Sequence, residues 1–140
     1  MARASDIMAT LTAKGVAVSG LGYYPNPLHA DASHREAVIG HLMKVISAAG
    51  MMGVKVVNTF LGGDRALTVD QNWNRATEVF APIVAHARNS GVTLAFEPEV
   101  SNVVDSAARA RRLLDEIRSP RLKVVMDGAN LFHAGELPQM

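Results

Sequence analysis

Cysteine is absent from the 140-residue sequence. That excludes disulfides and thiolate zinc sites, and it fits a reducing compartment. Charge is also sparse. Asp, Glu, Lys and Arg make up 19% of the chain, against about 25% in average soluble proteins. The 14 basic and 13 acidic residues nearly cancel, for a net charge of +1. With no basic tail and no charge block, no nucleic-acid partner is implied. The opening MARASDIMAT lacks the apolar core of a secretory signal. No apolar run approaches the roughly 20 residues a membrane helix needs. The expectation is a soluble cytoplasmic protein without a membrane partner. Nor does a G-x-G-x-x-G or a P-loop follow any strand-like run, which weighs against a flavodoxin-like binding module.

What the sequence does have is aliphatic side chains. Residues of the AVILMFWYC set make up 49%, which suits elements buried on more than one face. The length corresponds to one domain or part of one. Four short, β-branched apolar runs recur, at 16–19, 54–58, 92–97 and 122–127, at intervals of roughly 30–40 residues. Three of them follow a glycine: Gly15, Gly53 and Gly91. Glycine there is a helix stop, because it takes the left-handed conformation after a last helical turn.

Helix-period segments fill the intervals. In 34–50, Val38, Leu42, Val45 and Ala49 share one face. In 70–90, Trp73, Ala76, Phe80, Ile83 and Ala87 form a stripe, preceded by Thr68 and Gln71 at capping-box spacing. Pro82 inside that segment predicts a kink near Glu78. In 103–118 the stripe is Ala107, Ala110, Leu114 and Ile117, with Arg109, Arg111 and Arg112 on a solvated face. Residues 6–14 read as the tail of another helix. Met51 and Met52 read as core filling. His29, His34, His41 and His86 fall on polar positions and read as solvated.

Strands alternating with helices imply a parallel sheet with right-handed crossovers. A complete flavodoxin-like sheet and part of a (β/α)8 barrel both fit, and both place ligands at the C-terminal strand ends. The chain opens on a helix with no strand before it, and 135–140 reads as a helix barely begun. The expectation is a single partial domain over 1–140, an interior slice of a longer protein, with four parallel strands in sequence order.

Two of the runs end in an acid: Glu97 before Pro98, and Asp127 before Gly128. Neighbouring strands lie about 4.8 Å apart, and two charges at roughly 5 Å repel by about 3 kcal/mol at an effective dielectric of about 20. A cation or a shared proton between them relieves that repulsion. Such a pair is a metal or acid–base site, unless both acids cap loops and face water. Tyr23, Tyr24 and Asn26 sit in a loop stiffened by Pro25 and Pro27, suited either to lining a pocket or to ordinary packing. Thr59 and Phe60 stand at the next strand end, as pocket wall or core. Gly62-Gly63 could admit a phosphate or simply turn.

With these residues in place, the chain resembles the sugar phosphate isomerase/epimerase family, the xylose isomerase-like TIM barrels that include ketose 3-epimerases and inosose dehydratases. The matching pieces are LGYYPNPL, VVNTFLGGD, GVTLAFEP and LKVVMDGANLFHAG, in order on strands two to five of that barrel. The resemblance implies half of a (β/α)8 barrel acting on a small sugar or polyol ketone. It implies a divalent metal (Mn, Mg, Co or Zn) with Glu97 and Asp127 as two of four ligands. A His and a second Glu would come from strands beyond residue 140. Glu97 doubles as acid/base, moving the proton alpha to the carbonyl through an enediolate. Tyr24, Asn26, Thr59, Asn130 and His133 are the implied substrate contacts. Members often have a histidine where Asn130 stands here, and His133 follows three residues later. An inosose dehydratase-like lyase shares the same chemistry. An endonuclease IV-like enzyme would need more strand-end histidines and a basic surface. Half a barrel also leaves two open sheet edges, so the chain is expected to self-associate.

Overall fold

The computed structural model describes residues 2–136. Its elements follow in order: α1 (Ala2–Ala13), β1 (Leu21–Gly22), α2 (Ala32–Met52), β2 (Val56–Phe60), α3 (Val69–Asn89), β3 (Thr93–Glu97), α4 (Ala107–Ile117), β4 (Leu122–Val124) and α5 (Gly128–His133). The four strands form one parallel sheet in the order β1-β2-β3-β4. A flavodoxin-like sheet would put the first strand between two others, so this order is that of a barrel wall. The helix start expected at 135–140 lies, for residues 137–140, outside the described residues.

Local chemistry explains the helix boundaries. Asp31 caps α2 by accepting from the His34 N–H. Thr68 and Gln71 form the expected capping box on α3. Gly15, Gly53 and Gly91 all adopt positive φ, the conformation that ends the helix ahead of each strand region. Helix α3 runs through Pro82 as one element. Among the described residues, no helix is long and apolar enough to cross a membrane.

One core lies between the sheet and its helices. Val57, Leu94, Phe96 and Leu122 from the strands meet Leu42, Ile46, Ala76, Phe80, Ile83 and Leu113 from the helices. Three details depart from the sequence reading. In α2 the buried residues are Val38, Leu42, Ile46 and Ala49, so Ile46 takes the place expected of Val45, which is only half-buried. In α4 the buried residues are Ala110 and Leu113, with Leu114 and Ile117 half-buried against the core, and the helix starts at Ala107 behind a Ser106 cap rather than at Val103. Val103 and Val104 are buried loop residues, although both fall in the segment that the sequence reads as helix. Met51 is 60% exposed, so it does not fill the core.

The first run is also displaced. Residues 16–20 form no strand, and β1 is Leu21–Gly22. The register gives the reason. Leu21 lies opposite Val57, so residues 16–19 extend past the start of β2 at Val56 and have no strand to pair with. Likewise β4 ends at Val124, although Val125 still donates its N–H to the Phe96 carbonyl. Asp127 does not end a strand; it caps α5.

Candidate metal and substrate site

The pleat decides which side chains reach the open face of the sheet. Residues in register share a face, and Phe60 lies opposite Glu97, and Asn58 opposite Ala95. Val57, Thr59, Leu94 and Phe96 therefore point into the helix-covered layer, where all four are fully buried. Phe60 and Glu97 point the other way, toward what would be the inside of a barrel. Tyr24 joins them from the loop after β1. Its ring stacks on Phe60, with centroids 6.1 Å apart and planes 16° from parallel. Its hydroxyl donates to Glu97 Oε2 at 2.9 Å.

Glu97 and Asp127 converge. Asn130 Nδ2 donates to Glu97 Oε1 at 3.1 Å and to Asp127 Oδ2 at 3.3 Å. The two carboxylate oxygens thus lie no further apart than the sum of those contacts. Asp127 Oδ1 accepts from the Ala129 and Asn130 N–H groups, fixing the side chain at the start of α5. Burial, then the hydrogen bond and the charge of Glu97, push the Tyr24 phenol up to about 12. At neutral pH it is therefore a neutral donor that orients the carboxylate.

This donor set fits a hard divalent cation. Two carboxylate oxygens already accept from one amide nitrogen, and carboxylate oxygens suit Mg²⁺ or Mn²⁺. Among the described residues no third His, Asp or Glu joins them.

The other expected contacts divide. Asn130 is at the centre of the site. Asn26 is near the mouth, but both ends of its amide are engaged: Nδ2 donates to the Gly63 carbonyl at 3.0 Å, and Oδ1 accepts from the Leu28 N–H at 2.8 Å. It pins the loop after β1 to the loop after β2. Gly62 is needed for that approach, because a Cβ there would lie 2.5 Å from Asn26 Cγ. His133 is exposed at the far end of α5, edge-on to Phe132, and does not reach the carboxylates.

Thr59 is not brought to the site. It is buried in the helix-side layer, and its hydroxyl has no partner among the described residues. Its neighbour Phe60 takes the place expected of it. Leaving a buried hydroxyl unpaired costs about 1–3 kcal/mol. Thr59→Val keeps the β-branched shape and is expected to stabilise the fold by about 1 kcal/mol, read as a higher urea midpoint. A lower midpoint would place the hydroxyl in a contact the structure does not show.

Beside this mouth lies a cleft of about 460 Å³ between the β2–α3 and β3–α4 loops, with Phe60 in its wall. The loops are stitched together by Val103 N–H to the Leu61 carbonyl. Asn72 holds the first loop through Asp64 N–H and the Asp64 and Leu67 carbonyls. Asp64 accepts from Ala66 N–H and pairs with Arg75 at 3.0 Å. Arg109, read from sequence as part of a solvated helix face, instead turns to the cleft and bonds Val103 O and Asp105. Arg111 and Arg112 do stay on that face, in i,i+4 pairs. His86 also departs from its solvated reading: half-buried, it meets Ser47 Oγ and the Met43 carbonyl.

The Ala66 N–H, then the Arg75 guanidinium, hold the Asp64 carboxyl below the usual carboxylate range. A depressed folded pKa stabilises above the unfolded value, about 3.9 for Asp, and that contribution is lost as pH falls through the folded value. The Ala66 amide is therefore expected to lose exchange protection below about pH 4. Asp64→Asn should remove that acid step. Protection that does not change on acidification would contradict the assignment.

The family model for the xylose isomerase-like TIM barrel matches residues 2–140. The chain belongs to the xylose isomerase-like TIM barrel family. No match was found among curated proteins. Solved structures align over nearly the whole chain at low identity. The 3-keto-D-glucoside 4-epimerase of E. coli aligns with TM-score 0.82 and 13% identity, over 92% of this chain and 55% of that one. A D-psicose 3-epimerase from Clostridium cellulolyticum, solved with D-tagatose, gives 0.78 and 15% over 97% and 50%. A family protein from Mycobacterium smegmatis in complex with magnesium gives 0.72 and 20% over 93% and 47%. A structure with a zinc atom and a probable 3-DHS dehydratase share the fold. The chain spans about half the length of these structures. The four-stranded parallel sheet is thus part of a (β/α)8 barrel.

Proposed function

We propose that this chain is half of a divalent-metal-dependent isomerase or epimerase acting on a sugar or sugar phosphate by proton transfer alpha to a carbonyl. The observation that carries the reading is the convergence of Glu97 and Asp127 on one Asn130 amide at the strand ends. Its support is the family, in which epimerases recur among the matching structures and magnesium or zinc is bound in others.

A bound Mn²⁺, Mg²⁺, Co²⁺ or Zn²⁺ would supply positive charge against the sugar's carbonyl and hydroxyl oxygens. The remaining work belongs to the chain. Glu97 takes the α-proton as the C–H electron pair moves into the enediolate; its return to the neighbouring carbon completes an isomerisation, while an epimerisation takes a proton from a second acid on the opposite face of the enediolate. Tyr24 holds Glu97 Oε2 and so fixes the direction of the other oxygen. Asp127 is oriented by the first turn of α5. Phe60 and Tyr24 offer aromatic faces to the C–H side of a sugar. A lyase of the inosose dehydratase kind would begin with the same proton abstraction and then expel a hydroxyl.

Two of four ligands should hold metal weakly. Calorimetry with Mn²⁺ on the 140-residue chain is expected to show weak binding that Asp127→Asn and Glu97→Gln each abolish. Turnover of ketoses by this chain alone should fall far below the ~10 s⁻¹ typical of enzymes. Mn²⁺ binding indifferent to both substitutions would remove the basis of the reading.

A further inference from the structure

The cleft beside the mouth has a composition that the carboxylate site does not explain. Arg65 and Arg109 both line it, one from the β2–α3 loop and one from α4. Among the described residues Arg65 has no ion-pair or side-chain hydrogen-bond partner. Arg109 uses only Nη1, on Val103 O and Asp105, and a guanidinium has five donors. The one acid in the wall, Asp64, is already paired with Arg75. Ser101 holds a left-handed φ of 71° without being glycine, a strained conformation of the sort found at ligand sites. At about 460 Å³ the cleft falls in the range of small-molecule pockets, about 300–1,000 Å³.

We propose that this cleft is a subsite for an anionic group, phosphoryl or carboxylate, held between Arg65 and Arg109. Phe60 links the two places, since it lines the cleft and stacks on the Tyr24 that holds Glu97. A substrate reacting at Glu97 would run past Phe60 and set its charged end among the guanidinium groups, which bind oxyanions through paired N–H donors. The connection to Glu97 rests on the proposed isomerase reading; the anion site itself does not.

Trp73 is the single tryptophan of the chain and lies in the cleft wall, so its fluorescence reports occupancy. Inorganic phosphate and, separately, acetate are titrated at constant ionic strength set with chloride. A saturable change with either anion is expected, and the tighter of the two assigns the group. Arg65→Gln removes a charge and, among the described residues, no side-chain hydrogen bond or ion pair, so it leaves the fold intact. It should weaken binding about tenfold, the loss of one charge-assisted hydrogen bond. Arg109→Gln should do the same, while Glu97→Gln leaves anion binding unchanged. No saturable response, or an affinity unchanged from the wild type in both arginine variants, overturns the proposal, as does loss of anion binding in Glu97→Gln. A complete protein that turns over no ketose yet binds phosphate in an Arg65-dependent way would refute the isomerase reading and keep the subsite. Turnover without such binding would do the reverse.

Discussion

Replacing Glu97 by Gln in a protein that carries the complete barrel is expected to lower ketose turnover by about 10²–10⁴-fold, the usual contribution of a positioned acid–base group. The substitution keeps the size of the side chain; its one amide oxygen can still accept from Asn130, and Tyr24 can turn its hydroxyl to accept from the new NH2, while the proton acceptor is gone. The loss should appear in kcat rather than in the folding midpoint. Steady-state kinetics with a ketose panel, beside a denaturation curve, separates the two. A variant that folds normally and keeps full turnover would show that the proton moves elsewhere.

The second large effect is structural. Phe80→Ala is expected to destabilise the chain by about 3–5 kcal/mol, the range for removing a buried aromatic ring. Phe80 is fully buried in the core cluster that joins α3 to the sheet. A protein of ordinary stability, about 5–15 kcal/mol, would lose a large share of it. The urea midpoint should fall sharply with little change in slope. A shift below 1 kcal/mol would mean that this core collapses around the missing ring or is not formed as described.

The fold could be read from the sequence where one residue type has one physical consequence. Gly15, Gly53 and Gly91 take positive φ because helices stop there. Thr68 and Gln71 pair because their spacing allows little else. Glu97 and Asp127 converge because each stands at the β-to-α junction of its unit, Glu97 ending β3 and Asp127 capping α5. What depended on register could not be read. Whether 16–19 forms a strand is decided by where β2 begins, a fact of pairing that local composition does not hold. Thr59 and Phe60 both looked like strand-end residues, and only the pleat of β2 against β3 tells which faces the mouth. The start of α4 was read at 103 because Val103 and Val104, buried from a loop, imitate a helical face. The cleft was beyond reach for a related reason. Its two walls are some 40 residues apart in the chain, on the scale of one βαβ unit, and the bond from Val103 to Leu61 that joins them leaves no local signature.

The claim that organises the rest is that Glu97 and Asp127 are two ligands of one cation. Crystals of the protein with its complete barrel, soaked in Mn²⁺, test it most directly through the anomalous signal of the metal. The account predicts a single strong peak in coordination contact, about 2.0–2.6 Å, with an oxygen of each carboxylate, and the Asn130 amide turned away from between them. A peak that touches neither residue, or an Asn130 amide still bridging both acids at saturating Mn²⁺, would contradict it.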